Sequence, residues 1–373
     1  MFAERQEADI ALKRCSELKM KILYITTIGI TMIFFKTLVK ELLDEGNIVD
    51  IATNESDSPV PDCYREWGCY IHNISTSRSP LSAGNRLAIK QIRELAHNYD
   101  IVHCHTPIAG MVARIACKKI RNDGLRVVYT AHGFHFYKGA PFKNWLLYYP
   151  IEKMCSKWTD VLITINKEDY SLAIKKMRAK SVEYIPGVGI DKEKFELQKV
   201  DLLRKREELH LPKKAKVILS VGELNKNKNH RIVIEALGKI KNKTYYYLIA
   251  GEGKEKDSLQ KLALSLNVNL ILLGYRKDVA SLYRIADLYI LPSFREGLNV
   301  SLMEAISSGC PAIASKIRGN IDLLPDSLCF NPHNSADIIH LLNSAISPVN
   351  LPDAFDYKHI NSSIKSIYQK IML

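Results

Sequence analysis

Short apolar runs of strand character alternate with helical patterns along the whole chain. Residues 22–26 read as a strand. Phe34, Phe35, Leu38, Val39, Leu42 and Leu43 then recur at helical spacing, and Gly46 stands where such a helix would end. Residues 48–52 form the next predicted strand, followed by 70–74, 101–104, 127–130 and 161–165. This βαβα order predicts a parallel, doubly wound sheet. Pro186, Gly187 and Gly189 fall within four positions and mark a linker. Beyond it the alternation restarts, with strands at 217–221, 246–250, 270–273, 288–291 and 312–314. Helices are predicted around 230–240, 254–266 and 279–285, and residues 357–372 read as an amphipathic helix after Pro352.

A chain of 373 residues is too long for one ordinary core, so two α/β domains are expected. The boundaries read as a polar N-terminal extension at 1–19, a first domain at 20–186, a second at 187–350, and a C-terminal helical segment at 351–373 that packs back toward the first domain. Met20 to Tyr24 looks like the true beginning of the first strand. No apolar stretch reaches the ~18 residues of a membrane span, and residues 1–19 lack the apolar centre of a signal peptide. The eight cysteines form no CxxC pair, which removes zinc-ribbon and thioredoxin designs. Free buried thiols in a reducing cytoplasm are expected.

The net charge of +13 is unevenly placed. Residues 65–180 hold 19 Lys/Arg against 8 Asp/Glu, a balance of +11, while 1–64 come to −4 and 181–373 to +6. A basic first domain suits an anionic lipid surface or a phosphorylated substrate, and a solvated basic surface accounts for it equally well.

In open α/β sheets ligands bind at the carboxyl ends of strands, so chemistry is expected there. The predicted strand 288–291 runs into Pro292-Ser293-Phe294-Arg295-Glu296-Gly297-Leu298-Asn299, and a helix pattern begins at Val300. Backbone amides at Gly297, Leu298, Asn299 and Val300 would begin that helix without partners, which makes an anion site reinforced by the helix dipole. Glu296 before the helix and Glu304 about two turns along bind phosphate poorly but hydroxyls well. A diphosphate flanked by two polyols fits both features, whereas an ordinary cap with surface glutamates is the plain alternative.

The segment Glu296-Gly-Leu-Asn-Val-Ser-Leu-Met-Glu304-Ala, followed by Gly309-Cys-Pro-Ala-Ile-Ala-Ser, resembles the Glu-x7-Glu signature of family 4 glycosyltransferases. Tyr184-Ile-Pro-Gly-Val-Gly-Ile-Asp191, Ser220-Val-Gly-Glu-Leu224 with Lys228-Asn-His230, Gly251-Glu-Gly253 and Gly274-Tyr275 resemble further segments of that family in the expected order. Thr26-Thr-Ile-Gly-Ile-Thr31 and Ala131-His-Gly-Phe-His-Phe136 are similar to the capsular and exopolysaccharide transferases within it. The resemblance implies the GT-B fold: two Rossmann-like, doubly wound domains facing a central cleft.

It also implies roles. Glu296, His132 and Lys228 would be catalytic, with Lys228 on the donor diphosphate, His132 beside the transferred sugar and Glu304 on the ribose. Gly29, Asn225, Gly251, Tyr275, Arg276, Gly297, Leu298 and Asn299 would complete the donor site. Glu223 departs from the family pattern, which has arginine there as a second cation. Asn225, Arg295 or Arg276 would then compensate, or Lys228 and the helix start act without it. His103 and His105 share one strand face and could be imagined with His132 and His135 as a metal site, but no carboxylate or cysteine spacing supports it. No Asp-x-Asp pair appears, so no metal or other cofactor is expected.

The implied reaction is retaining transfer of a hexosyl or N-acetylhexosaminyl group from a nucleotide diphosphate sugar, with UDP favoured by the resemblance. The acceptor would be lipid-linked or an oligosaccharide in cell-surface polysaccharide biosynthesis. The aromatic-rich residues 142–150 suit a membrane surface, so the enzyme is expected in the cytoplasm, peripheral to the inner face of the plasma membrane. A core helix kinked at Pro150 is the alternative. The rival functions are another GT-B enzyme such as a nucleotide-sugar epimerase, and a donor-binding subunit that needs a partner. No nucleic-acid-binding module is evident.

Overall fold

The computed structural model describes residues 19–56, 58–79, 82–196, 200–240 and 242–373. Most of the expected extension at 1–19, with Cys15, lies outside them. The chain divides into two compact units, residues 1–188 with 357–373 and residues 189–356.

The first unit is built on seven strands: β1 (Lys21–Ile28), β2 (Ile48–Asn54), β3 (Ile71–Asn73), β4 (Ile101–His105), β5 (Arg126–Ala131), β6 (Val161–Thr164) and β7 (Ser181–Tyr184). Their order is β3-β2-β1-β4-β5-β6-β7, and every pairing is parallel. Both faces of the sheet are covered, so the central strands are apolar at nearly every position; all of β4 and β6 is buried. Alternation along β1 divides its side chains between two cores. Leu23 and Ile25 join one, while Ile22 and Tyr24 join the other.

Helix α1 (Lys36–Asp44) covers the second of these faces with Leu38, Val39 and Leu42, and Gly46 closes it at a φ of 84°. The predicted stripe is corrected at its start. Residues Gly29–Phe35 form a 3-10 turn, so Phe34 falls off the helical face and is exposed. Helices α2 (Ala83–Ala96) and α3 (Pro107–Cys117) pack on the first face through Ala88, Ile92, Val112 and Ala116. Helix α4 (Phe142–Ser156) contains Pro150 and continues past it. Its Phe142, Leu146 and Leu147 point to solvent, whereas Glu152, Cys155 and Ser156 are buried.

The second unit has six strands: β8 (Lys216–Val221), β9 (Tyr245–Ala250), β10 (Asn269–Gly274), β11 (Leu288–Leu291), β12 (Ala312–Ser315) and β13 (Cys329–Phe330). They are all parallel in the order β10-β9-β8-β11-β12-β13. Helix α5 (His230–Ile240) buries Val233, Ala236 and Leu237. Helices α6 (Val279–Ile285) and α7 (Val300–Ser307) supply Leu282, Leu302 and Met303.

The final helix, α8 (Tyr357–Met372), belongs to the first unit. Ile360, Ile364 and Tyr368, spaced four apart, enter the core shared by Ile22 and Tyr24. Tyr368 OH meets Tyr24 OH at 2.8 Å and the Nδ1 atom of His103. At the helix surface Lys365 bonds Glu41 and Glu45 at 2.8 and 2.7 Å.

Candidate active site

In each sheet the strand order reverses beside the first strand: between β1 and β4, and between β8 and β11. The carboxyl ends at such a reversal diverge and leave a crevice where ligands bind in open α/β sheets. Of the residues singled out in the second unit, Asn225, Lys228, Glu296, Gly297 and Asn299 follow β8 and β11 and stand at that point.

After β8 the chain turns at Gly222 and enters a 3-10 turn at Lys226–Lys228. Asn225 caps this turn, its Oδ1 accepting the Lys228 amide at 3.0 Å. Asn229 follows at a φ of 53°, and its side-chain amide donates to the carbonyls of Pro292 and Pro332 at 3.1 and 2.9 Å. Asn227 donates to the Arg295 carbonyl at 2.9 Å, and its own carbonyl accepts from the Phe294 amide at 2.8 Å. The loop after β8 is thereby fastened to the loop after β11. Across the join, Lys228 Nζ lies 2.8 Å from Glu296 Oε1, in a pair whose side chains are 17% and 13% exposed. A Cβ at Gly222 would stand 3.2 Å from Lys228 Cε, so glycine there leaves room for the lysine stem.

Asn299 caps α7, accepting from the Leu302 amide at 3.0 Å and from Ser301 Oγ at 2.7 Å. Ser301 in turn meets Tyr289 OH at 2.7 Å, which ties the helix start to β11. Leu298 is buried, and Gly297 faces Gly319 so closely that a Cβ on Gly319 would lie 2.2 Å from the Gly297 carbonyl. Glu304 accepts from Tyr283 OH at 2.9 Å, and burial raises its carboxyl above the usual range.

Gly251 has a φ of 154°, and a Cβ there would stand 1.9 Å from the Gly222 carbonyl. Its glycine therefore serves the approach of two backbone loops. Tyr275 is exposed. Arg276 is engaged by Asp278 at 2.7 and 2.6 Å and by Glu208 at 2.9 Å, so the cation proposed to compensate for Glu223 is held by two carboxylates. Asn225 spends its side-chain oxygen on the Lys228 turn, and Arg295 is exposed. Arg318 is a cation that the sequence reading passed over. It is buried, and its Nε donates to the Glu296 carbonyl at 3.3 Å. Its one signal was its place just after a strand.

In the first unit, His132 follows β5. Its Nε2 lies 3.2 Å from Nδ1 of His105, and burial lowers its pKa to about 4. His103 is held at about 3 by burial and by the His132 charge, and His105 is also held well below its usual range. Both ring nitrogens of His103 are taken, by Tyr368 OH and Thr130 Oγ1, which leaves it no lone pair for a metal. The room that Gly29 leaves is filled by Ser58 to Val60, where a Cβ would meet three backbone atoms at 2.5 Å. Its close approach is thus made to the chain itself. Among the described residues the cysteines are free thiols.

Two family descriptions match the chain: Glycosyl transferase 4-like over residues 21–166, and Glycosyl transferases group 1 over residues 203–361. The putative glycosyltransferase EpsD of Bacillus subtilis (strain 168) is 39% identical over 262 residues, covering 68% of this chain and 69% of its own length. The chain belongs to the family 4 glycosyltransferases. An Escherichia coli UDP-Gal:alpha-D-GlcNAc-diphosphoundecaprenol alpha-1,3-galactosyltransferase is 34% identical over 234 residues, with 60% of this chain and 59% of that one covered. Anabaena HepE, in complex with UDP and glucose, superposes at a TM-score of 0.77 with 19% identity over 94% of this chain and 100% of its own. Sucrose-phosphate synthase from Thermosynechococcus elongatus does so at 0.76 with 18% identity over 95% and 99%. The fold of this glycosyltransferase is GT-B, two parallel-sheet α/β domains.

Within the second unit, Asn225, Lys228, Glu296, Gly297 and Asn299 stand together around one pair of loops. Arg276 is committed to a separate carboxylate cluster. Among the described residues no helix is long and apolar enough to cross a membrane.

Proposed function

We propose that this glycosyltransferase moves a sugar from a UDP-sugar to the carbohydrate of a lipid-linked diphosphate acceptor, with retention at the anomeric carbon, in the assembly of a cell-surface polysaccharide. The Lys228–Glu296 pair at the start of α7 carries the proposal. The name of the galactosyltransferase relative supports the acceptor class, and that of an O-antigen biosynthesis glycosyltransferase relative supports the pathway. The UDP in the HepE complex supports the donor.

The leaving diphosphate is already a weak base, so the reaction calls for positive potential on it and for accurate placement of the attacking hydroxyl. Lys228 supplies a mobile point charge, and the capped start of α7 supplies oriented amides. With this ammonium shared by the diphosphate, Glu296 is free to accept hydrogen bonds from the transferred sugar. Glu304, protonated more readily than an ordinary carboxyl, suits the ribose hydroxyls. His132, neutral at physiological pH, is assigned to a hydroxyl of the transferred sugar, where it donates without adding charge. No metal enters this mechanism. The basic residues of 65–180 and the exposed apolar side chains of α4 support peripheral contact with an anionic membrane at the cytoplasmic face.

Thermal-shift screening against a nucleotide-sugar panel tests the donor, followed by transfer to lipid-linked acceptors with the new anomeric linkage read by NMR. Stabilisation by a UDP-sugar and an axial product are expected. Sugar-nucleotide conversion without acceptor would point to an epimerase, and donor binding without turnover to a subunit awaiting a partner.

A further inference from the structure

β4 ends at His105, and β5 runs beside it with Thr130 in register. His132, two residues past Thr130, therefore emerges on the same face as His105. Nδ1 of His105 and Nε2 of His132 lie 3.2 Å apart, in the only hydrogen bond that either ring makes among the described residues. His105 is 1% exposed and its ring is held by packing. Its centroid lies 4.1 Å from that of His103, 4.2 Å from Phe35 and 5.5 Å from Tyr24. The His103 ring is pinned in turn by Tyr368 OH and Thr130 Oγ1.

Both rings are neutral at physiological pH, since burial holds His132 at about 4 and His105 well below its usual range. A neutral imidazole has one N–H and one lone pair, so across the contact one ring donates and the other accepts. If His132 donates, Nδ1 of His105 is the acceptor and its Nε2 must carry a hydrogen. That nitrogen is buried without a protein partner, and orphaned buried N–H groups are rare because nothing replaces their lost hydration. If His105 donates, its Nε2 is a bare lone pair and no N–H is stranded. His132 then accepts at Nε2 and carries its hydrogen on Nδ1, the nitrogen left for a ligand.

We propose that His105 is a positioning residue, donating from Nδ1 to Nε2 of His132 and so fixing His132 in the tautomer whose Nδ1–H meets a hydroxyl of the transferred sugar. This deepens the sugar-binding role assigned to His132 and rests on that reading. In the opposite tautomer a lone pair faces the sugar, and the hydroxyl oxygen, which gathers no donor, is left to water.

Long-range proton–nitrogen NMR spectra of the full chain with labelled histidine test the assignment, the His132 signals being identified by their loss in His132→Asn. Wild type should show His132 protonated at Nδ1 and bare at Nε2. His105→Phe keeps an aromatic ring in the stack and removes the donor. His132 should then shift to the Nε2–H form, and kcat should fall roughly tenfold, the effect of losing one hydrogen bond to the sugar. UDP affinity should not change, and the melting temperature should hold or rise because the orphaned nitrogen is gone as well. His105→Asn offers a side-chain N–H near the place of Nδ1 and should recover most of the lost rate, although its smaller side chain lowers the melting temperature. Rate should thus follow the tautomer and not the stability. Protonation of His132 at Nε2 in wild type, an unchanged tautomer or rate in His105→Phe, or rates that track melting temperature across the variants would each overturn the assignment. Failure of the sugar-transfer reading looks different: wild type transfers no sugar from any nucleotide donor, yet the His132 tautomer still switches in His105→Phe.

Discussion

Lys228 Nζ and Glu296 Oε1 stand 2.8 Å apart, so the cation assigned to the diphosphate and the carboxylate assigned to the sugar hold each other directly. Sixty-eight residues separate them in sequence, and the loops after β8 and β11 bring them together. A ligand that takes the ammonium must therefore compete with a carboxylate. Glu296→Gln removes that competition at constant shape. UDP affinity should be retained or raised, while kcat falls by about 100-fold or more through loss of the sugar contact. Lys228→Met should instead weaken UDP binding as well as turnover. Titration calorimetry and initial rates on both variants check this, and near-normal transfer by Glu296→Gln or Glu296→Ala would remove Glu296 from the mechanism.

Four histidines with lowered pKa make stability depend on pH. Burial lowers His132 to about 4, and His103 and His230 to about 3, while His105 is also held well below its usual range. The unfolded chain protonates histidine near a pH of about 6.5. Below that value the unfolded state binds more protons than the folded state, so stability falls as pH drops from 6.5 toward 4. Each unit through that window costs about 1.4 kcal/mol per histidine. Above it both states are neutral, and these groups add no dependence. Melting points across pH 5 to 8 (a range of about three units around the histidine value) should be level at the upper end and fall at the lower. A level profile throughout would show that the histidines take up protons in the folded state.

Arg114 and Glu152 are paired inside the first unit, with the guanidinium also 3.9 Å from the Tyr129 ring centre. Arg114→Met leaves the carboxylate buried alone and should cost about 3–5 kcal/mol. The double variant Arg114→Met with Glu152→Leu removes both charges and should recover much of that loss. Denaturant melts of the two single variants and the double variant measure the coupling. Additive losses would mean that the two charges act independently.

Glycines at positive φ differ in what surrounds them. A Cβ at Gly251 would stand 1.9 Å from the Gly222 carbonyl, whereas one at Gly124, with a φ of 105°, would meet nothing within 4 Å. Gly251→Ala should lower stability by more than about 3 kcal/mol because backbone must move. Gly124→Ala should cost only the conformational penalty, roughly 1–2 kcal/mol. Equal melting points for the two variants would contradict this distinction.

By itself the sequence determined the features that depend on local periodicity. Apolar runs alternating with helical stripes specify parallel sheets covered on both faces, and Asn299 before Val300 marks a helix start wherever that helix is placed. Strands that lack a run of apolar residues escape such a reading. All four residues of β7, Ser181–Tyr184, are only half-buried, and β13, Cys329–Phe330, has two residues, too few to show a period. Phe34 matched the helical stripe, yet its backbone belongs to a 3-10 turn.

Tertiary structure alone decided which strand ends became neighbours. Sheet order placed Lys228 against Glu296 and Thr27 against Thr106, and the tertiary fold brought Glu208 to Arg276. It also joined the last helix to the first unit through Tyr368, Tyr24 and His103, contacts that span 344 and 265 residues. Periodicity carries no information about such pairs, because hydrogen bonds and close packing act over a few ångströms in space whatever the separation along the chain.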